Sequence, residues 1–208
     1  MNIIAITKPS STRDKTILER MHRLRGKIFR GRLSWNVRCV DGLEFDEFDA
    51  LGPTYIIALD SMEQVVGCAR LLPATSTTML ETVFPQLLPN GVLAAHKRMI
   101  ESSRFCVDTG CREGRGHGSL HEVTMAMFAG IVDWCLVKDY TEIATATDVR
   151  IERLLHRAGW PMRRIGEPVQ IHETRSIAGV LSADHDSFRR LRPEGYQSDF
   201  AFKHQHAA

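Results

Sequence analysis

The fold of this chain follows from the stretch MIESSRFCVD (99–108), the segment CREGRGHGSL (111–120) and the apolar residues that come next. The first part predicts a strand, and 119–140 predict a long, largely buried helix, since apolar residues recur there at helical spacing. A glycine segment between a strand and its crossover helix lies at the carboxyl end of the strand, where open α/β sheets usually bind ligands. The stretch therefore predicts an α/β fold with a ligand site beside the glycines.

Strands and helices alternate along the rest of the chain. The patterns predict an amphipathic helix over 14–29, a hairpin over 54–60 and 65–73, and a short helix around 78–88. Gly67 in the second hairpin strand suggests a bulge or a close backbone approach. A strand is predicted at 141–147, a helix between its cap Asp148 and its stop Gly159, strands at 162–165 and 174–180, and a helix near 184–192. We expect one domain over 1–208, a three-layer α/β/α sandwich with a mixed central sheet.

Composition excludes several classes of protein. The 208 residues are 43% hydrophobic and 25% charged, and the formal charge of +2 carries no block of like charges, which argues against nonspecific nucleic-acid binding. The apolar run ending at Thr7 is shorter than the roughly 7–15 residues of a secretory signal, and no run reaches the roughly 20 residues of a membrane span. Five cysteines without CxxC spacing indicate reduced thiols. We expect a cytoplasmic protein.

The glycine segment has two interpretations. Three glycines (114, 116 and 118) stand beside Arg112 and Arg115, directly before the predicted long helix. Backbone N–H groups and the helix dipole could bind a phosphate there. A sharp turn from strand to helix also needs glycine for its own sake, so the segment alone leaves both interpretations open.

No metal site is expected from the sequence. HEVTM (121–125) begins like the zinc motif HExxH, but Met125 stands where the second histidine would be needed. The remaining histidines do not pair at ligand spacing.

An acidic loop and a polar strand are the more informative segments. The segment EFDEFD (44–49) contains four carboxylates, those of Glu44, Asp46, Glu47 and Asp49. They repel one another unless a cation lies among them. A solvated acidic turn is the alternative.

The strand segment ESSRF (101–105) places Glu101 and Ser103 on one face and Arg104 on the other. Ionisable groups on a strand that is covered on both sides are costly unless they are paired. The segment therefore predicts a cleft, with a structural ion pair between Glu101 and Arg70 as the alternative.

Several spaced motifs together resemble the N-acyl-homoserine lactone synthases, the LuxI-type autoinducer synthases. The resemblance extends from Met21 to about Gly179 and depends on RGKIF (25–29), LSW (33–35), EFDEFD (44–49), GCARLLP (67–73), ESSRFCVD (101–108), TATD (145–148) and RAGWP (157–161). It implies an acetyltransferase-like (GNAT-like) fold. The pyrophosphate loop of that superfamily, Q/R-x-x-G-x-G, is matched imperfectly here, because Glu113 takes the Q/R position.

The resemblance implies an acyltransferase that joins an acyl group to the amine of S-adenosylmethionine, which is a substrate, so no cofactor is expected. The products are methylthioadenosine and an acyl-homoserine lactone used in quorum sensing. An acyl-acyl carrier protein is the expected donor, with acyl-coenzyme A as a possible one. The phosphate facing Arg112 and Arg115 would then be that of phosphopantetheine, or the pyrophosphate of coenzyme A.

The resemblance also implies roles for individual residues. Glu101 is the expected base for the amine, with Ser103 and Arg104 beside the reacting carbonyl. S-adenosylmethionine is expected to bind Arg25, Phe29, Trp35, Asp46, Asp49 and Arg70. The acyl chain is expected to lie against Phe105, Met125, Phe128 and Thr145, with the Thr145 hydroxyl available to a 3-oxo group. Separately from the resemblance, Arg157, Arg163 and Arg164 form a basic cluster that suits an acidic carrier protein, with a solvated surface as the alternative.

Two other functions fit parts of the sequence. The fold and the glycine segment would suit an N-acetyltransferase that uses acetyl-coenzyme A and releases no methylthioadenosine. The same ligand site would suit a noncatalytic sensor that binds S-adenosylmethionine or an acyl ligand without releasing thiol.

Overall fold

A computed structural model describes residues 1–33, 35–110 and 121–200. The strands are β1 (Asn2–Ile6), β2 (Cys39–Val40), β3 (Leu43–Glu44), β4 (Thr54–Leu59), β5 (Val65–Pro73), β6 (Met99–Val107), β7 (Glu142–Asp148), β8 (Arg163–Arg164), β9 (Val169–Ile171) and β10 (Thr174–Ser182). The α-helices are α1 (Thr12–Arg25), α2 (Met79–Thr82), α3 (Glu122–Val137), α4 (Val149–Arg157) and α5 (His185–Leu191). The chain forms two compact units and passes between them within β5, β6 and α3.

The first unit comprises Met1–Arg70, Arg104–Ile131 and Arg192–Ala208. Its strands follow the order β1, β4, β5, β6, with β1 antiparallel to β4. Helix α1 begins at a capping box in which Ser11 and Asp14 bond each other's backbone N–H. The buried face of α1 packs on the apolar side chains of β1 and β4, which fixes the position of its last residue, Arg25.

A single π-helical stretch, Gly26–Arg32, continues α1. It turns Ile28 and Phe29 into the core of the first unit. Such stretches are rare and occur mostly at functional sites, because the wider turn reorients side chains. The short hairpin of β2 and β3 follows and leads into the acidic loop.

The second unit comprises Leu71–Ser103 and Val132–Leu191. Strand β6 pairs in parallel with β7, β7 pairs antiparallel with β10, and β10 pairs antiparallel with both β8 and β9. Helix α4 starts where Asp148 accepts bonds from the backbone N–H groups of Arg150 and Ile151, at 2.7 and 2.8 Å. It stops before Gly159, whose φ of +77° suits glycine.

The predicted α/β fold with a mixed sheet and flanking helices is confirmed, as are the hairpin of β4 and β5 and both ends of α4. Gly67 is a site of close approach, because a Cβ there would lie 3.0 Å from Cγ of Met127 on α3. The single domain over 1–208 stays a prediction. Among the described residues no helix combines the length and hydropathy needed to cross a bilayer.

Three features differ from the sequence-based expectations. The helix predicted over 14–29 is α-helical only to Arg25, and the one around 78–88 is reduced to α2 followed by 3₁₀ turns that begin at Pro85 and Pro89. Proline lacks the N–H that a continuing helix needs. Strand β1, the β2–β3 hairpin and strand β9 are not among the predicted elements, because each of these strands has only two to five residues.

Candidate active site

Three arginines and three carboxylates form one ion cluster in the first unit. Arg25 ends α1, Arg70 lies on β5 and Arg104 on β6. The carboxylates are Glu44 at the end of β3 and Asp46 and Asp49 around the 3₁₀ turn Glu47–Leu51. The cation expected inside the acidic loop is therefore confirmed, and the protein itself supplies it.

Arg25 is a fully enclosed member of the cluster. Its Nε donates to Glu44 Oε2 at 2.5 Å, and its Nη1 and Nη2 donate to the two oxygens of Asp49 at 2.8 and 2.9 Å. The side chains of Arg25 and Glu44 are 0% exposed. A guanidinium is suited to this task because its planar fork matches the carboxylate geometry.

The other two arginines share the remaining carboxylate oxygens. Arg70 Nη1 binds Asp46, and it also donates to Asp49 Oδ1 at 2.9 Å. Arg104 Nε donates to Glu44 Oε1 at 3.1 Å, and its Nη2 lies 2.8 Å from Asp46 Oδ2. Each carboxylate of the cluster thus meets two arginines.

The acidic loop is folded by its own carboxylates. Asp46 Oδ1 accepts from the Phe48 N–H at 3.0 Å, and Asp49 Oδ2 accepts from the Asp46 N–H at 2.9 Å, which is a capping box for the 3₁₀ turn. His22 on α1 bonds the Glu44 carbonyl through Nδ1 at 2.8 Å, and its ring lies 4.0 Å from that of Phe45. The loop is therefore held at both ends.

The electrostatics of the cluster favour its charged forms. Burial alone would raise the pKa of Asp49, but the hydrogen bonds and charge of Arg25, and then the charge of Arg70, hold that pKa well below its usual value. Burial would lower the pKa of Arg25, whereas Asp49 and Glu44 raise it well above the usual value. Each group of the pair thus stabilises the charged form of the other.

An aromatic pair adjoins the ion cluster. The rings of Phe29 and Trp35 are stacked, with centroids 5.2 Å apart and planes 5° from parallel. The guanidinium carbon of Arg104 lies 5.6 Å from the Phe29 centroid, and that of Arg70 lies 5.3 Å from the Phe48 centroid. Aromatic faces and carboxylates together form a site for a cation.

Glu101 lies in the second unit, where its carboxylate meets the start of α2. Its Oε2 accepts from the Met79 N–H at 3.0 Å and its Oε1 from the Leu80 N–H at 2.7 Å. The side chain is buried. Each oxygen thus accepts one backbone N–H, which fixes the carboxylate at the start of α2.

The strand alternation predicted for ESSRF fails at Arg104, whose φ is +51°. Ser103 and Arg104 are both half-buried.

In the second unit the Thr145 hydroxyl donates a hydrogen bond to the Ser102 carbonyl at 2.8 Å. Because this proton is already bonded, a 3-oxo group of the acyl chain would have to compete for it.

Two of the predicted acyl-chain residues meet in the first unit, where the rings of Phe105 and Phe128 are stacked 5.0 Å apart. Met125 is half-buried on the same helix as Phe128. Arg112 and Arg115 lie outside the described residues.

Sequence reasoning missed two polar groups of the site. Tyr55 on β4 donates to Asp49 Oδ1 at 2.7 Å, and burial, followed by the charge of Asp49, raises its pKa. His22 lies in the amphipathic helix predicted over 14–29, and the sequence pattern assigns it no role. Such residues can be recognised in a sequence because they carry a polar atom at a position that an amphipathic pattern predicts to be buried.

Comparisons with known proteins all find similarity to one protein family. The sequence model of a family described as Autoinducer synthase matches residues 10–191. A probable acyl-homoserine-lactone synthase of Sinorhizobium fredii is 54% identical over 198 residues, 95% of each chain. An acyl-homoserine-lactone synthase of Agrobacterium fabrum is 50% identical, over 95% of this chain and 94% of the relative.

Solved structures show the same relationship. A CoA-dependent acyl-homoserine lactone synthase, BjaI, solved with SAM and isopentyl-CoA, has a TM-score of 0.82 at 25% identity and covers 95% of this chain and 92% of its own. The synthase LasI has a TM-score of 0.76 at 28% identity, covering 94% of each chain. An N-acetyltransferase from Lactobacillus plantarum shares the fold alone, with a TM-score of 0.57 at 15% identity, over 88% of this chain and 97% of its own.

Proposed function

The chain belongs to the autoinducer synthase family, and from this premise we propose how its residues make an acyl-homoserine lactone. The enzyme is an acyltransferase that joins an acyl group to S-adenosylmethionine and releases methylthioadenosine. We propose that the acyl group comes chiefly from an acyl carrier protein, that S-adenosylmethionine is consumed as a substrate with no resident cofactor, and that the reaction takes place in the cytoplasm, where both substrates are made.

The arrangement of Asp46, Phe29 and Trp35 is the observation that carries the proposal for the S-adenosylmethionine site. The substrate bears a sulfonium cation, an ammonium and a carboxylate. Asp46 and Asp49 would meet the cations, the stacked rings of Phe29 and Trp35 would meet the sulfonium or the adenine, and the arginines would hold the carboxylate.

Amide formation requires a neutral amine. We assign Glu101 to accept the ammonium proton, directly or through water, so that the nitrogen lone pair attacks the thioester carbonyl carbon. The carbon–sulfur bond of the thioester then breaks, and the thiol leaves with that electron pair and a proton. The backbone near the positive φ of Arg104 is our candidate for stabilising the oxyanion.

Lactone formation needs no further acid or base. The substrate carboxylate attacks its own γ-carbon, and the carbon–sulfonium bond breaks with its electron pair going to sulfur. Methylthioadenosine leaves as a neutral thioether. The protein contributes by holding carboxylate and γ-carbon in line, which is the task of the arginine cluster.

The face of α4 supports a carrier protein as donor. Arg150, Arg153, His156 and Arg157 line an open groove of about 520 Å³. Of the cluster predicted from the sequence, only Arg157 lines this groove. Arg163 and Arg164 lie on β8, where Arg163 pairs with Glu142 at 3.2 Å and Arg164 with Glu152 at 2.6 Å. An acidic carrier surface would be attracted to such a face.

The direct test mixes the protein with S-adenosylmethionine and matched acyl-carrier-protein and acyl-coenzyme A thioesters, and measures methylthioadenosine and free thiol. Stoichiometric release of both products is expected. Thiol without methylthioadenosine would indicate an N-acetyltransferase instead, and tight binding without either product would indicate a sensor.

The donor is tested separately by charge reversal on α4. Arg153→Glu and Arg157→Glu should raise KM for the acyl carrier protein severalfold, with the difference shrinking at high salt because screening weakens long-range attraction. Arg189→Glu, at an exposed arginine of α5, is the matched control. Substitution of Arg112 and Arg115 by Ala, assayed with both donors, tests the phosphate role of the glycine segment.

A further inference from the structure

We propose that the guanidinium of Arg104 occupies the cation position at Phe29, and that the sulfonium of S-adenosylmethionine reaches this ring by displacing it. The inference rests on the proposed function, because it concerns how that substrate enters its site. It assigns the side chain of Arg104 a second role, because its movement links the binding of the two substrates.

The burial of Phe29 is the first step of the argument. Phe29 is 1% exposed, so a ligand touches the ring only after one of its covering groups moves. Two of these groups lie toward the polar side of the site, the indole of Trp35 and the guanidinium of Arg104. On its other side Phe29 belongs to the apolar core cluster of the first unit.

The chemistry of the two groups that cover Phe29, the Trp35 indole and the Arg104 guanidinium, decides which of them the ligand replaces. Arg104 places a cation near the ring and against Asp46 Oδ2 at 2.8 Å. A sulfonium or an ammonium offers the same two partners the same charge, so the exchange leaves neither the ring nor the carboxylate without a cation. Displacement of Trp35 would give up a stacked aromatic pair and leave the guanidinium where the substrate cation should bind.

The accessibility of Arg104 permits the exchange. Its side chain is 13% exposed, whereas those of Arg25 and Arg70 are 0% exposed. Glu44 and Asp46, which Arg104 contacts, are also bonded by Arg25 and Arg70 respectively. Both carboxylates therefore keep an arginine partner when Arg104 leaves.

The displaced guanidinium has an evident use. Arg104 stands on β6 between Ser103 and Phe105, the residues expected at the reacting carbonyl and the acyl chain. Its backbone already has a φ of +51°, a conformation that a long side chain adopts only where the surroundings impose it. Once released from Asp46, the guanidinium becomes a donor for the acyl thioester, so S-adenosylmethionine binding prepares the site for the second substrate.

The test compares a cationic and a neutral ligand on three proteins. Dissociation constants for S-adenosylmethionine and for methylthioadenosine, which lacks the charge, are measured on the wild type, Arg104→Met and Trp35→Leu. We expect Arg104→Met to bind S-adenosylmethionine about three- to tenfold more tightly, since its competitor is gone, and methylthioadenosine within about twofold of wild type. Trp35→Leu should weaken both ligands.

Turnover gives the complementary readout. Arg104→Met should lose most of its kcat despite the tighter substrate, a combination that a structural defect does not produce. Arg104→Gln, which keeps hydrogen-bonding capacity without the charge, repeats the measurement if the methionine variant does not fold. Weaker S-adenosylmethionine binding by both variants would overturn the inference and leave the proposed function standing, whereas no binding by the wild type would refute the proposed function.

Discussion

Asp49 receives both Nη groups of Arg25, at 2.8 and 2.9 Å, so one bidentate pair joins the end of α1 to the acidic loop. The pair is enclosed, with Arg25 fully buried. Because a buried carboxylate without its cation is strongly destabilised, the loop depends on this contact for its position.

Arg25→Lys should destabilise the protein by about 2 kcal/mol and abolish most activity. Lysine keeps the charge but is a point donor, so it cannot bond Glu44 and both oxygens of Asp49 together. Urea unfolding and methylthioadenosine release are the measurements. Arg23→Lys, on the exposed face of the same helix and paired with Glu19, should change neither. Equal effects of the two variants would contradict the role of the buried pair.

Gly26→Ala should cost about 2 kcal/mol and weaken S-adenosylmethionine binding, because a Cβ at Gly26 would lie 2.4 Å from the backbone oxygen of Gly42. That oxygen belongs to the β2–β3 turn, which would be pushed away together with the acidic loop. Gly31→Ala in the same π-helical stretch meets nothing within 4 Å and should be neutral or slightly stabilising. Thermal unfolding of both variants measures the difference in stability between Gly26→Ala and Gly31→Ala.

Glu101→Gln should slow amide formation by at least about a hundredfold if its carboxylate is the base. Gln keeps an acceptor oxygen for only one of the two N–H groups of Met79 and Leu80 and turns an amide NH2 donor toward the other, so the stability loss should be about 1–2 kcal/mol. Single-turnover thiol release measures the step.

The control for Glu101 must disturb α2 without touching the carboxylate. Thr78→Ala removes the hydroxyl that accepts from the Glu81 N–H at 3.3 Å, with a similar stability cost of about 1 kcal/mol. If Thr78→Ala slows amide formation as much as Glu101→Gln does, Glu101 only anchors α2 and the assignment as a base fails.

Because of His22, the wild-type protein should be less stable in mild acid than at neutral pH. Its pKa lies below 6.5 in the folded chain, because burial, and then the charge of Arg25, disfavours the protonated ring, although Asp49 and Glu44 partly offset this. The unfolded chain therefore takes up the proton first. The contribution of His22 is complete above pH 6.5 and is lost as pH falls from there through the folded value.

His22→Gln should remove that dependence while keeping a donor for the Glu44 carbonyl. Between pH 7.5 and 5, the wild type should lose stability relative to the variant at up to about 1.4 kcal/mol per pH unit. Urea unfolding at several pH values measures the difference, with the exposed His185→Gln as the control. Parallel curves for wild type and His22→Gln would contradict a buried neutral histidine.

The sequence predicts most of the regular structure because the long elements carry strong periodic patterns, as in α3, and clear end signals, as in Asp148 and Gly159 of α4. It does not predict the π-helical turn at Gly26–Arg32, since local propensity does not separate α from π hydrogen bonding. The brief pairing of β2 with β3 depends on contacts with α1, which no local pattern encodes.

The sequence predicts which types of residue form the site, but it does not predict which of them pair with each other. Like charges crowded in EFDEFD indicate a cation nearby, yet the choice of Arg25, Arg70 and Arg104 depends on three separate elements that meet only in the folded chain. Tyr55 and His22 sit within apolar patterns whose spacing says that they are buried, not what they bond. The bonds of Glu101 to the start of α2 likewise arise from tertiary packing.

The equal numbers of arginines and carboxylates in the ion cluster have a kinetic consequence. Because their charges cancel, the cluster exerts little field beyond the Debye length of about 8 Å at physiological salt, and S-adenosylmethionine must find it by unbiased diffusion. The arginines that line the groove on α4 act over a longer range at low salt. Association of the small substrate should therefore be nearly indifferent to ionic strength, while the encounter with an acidic carrier should slow steeply as salt is added.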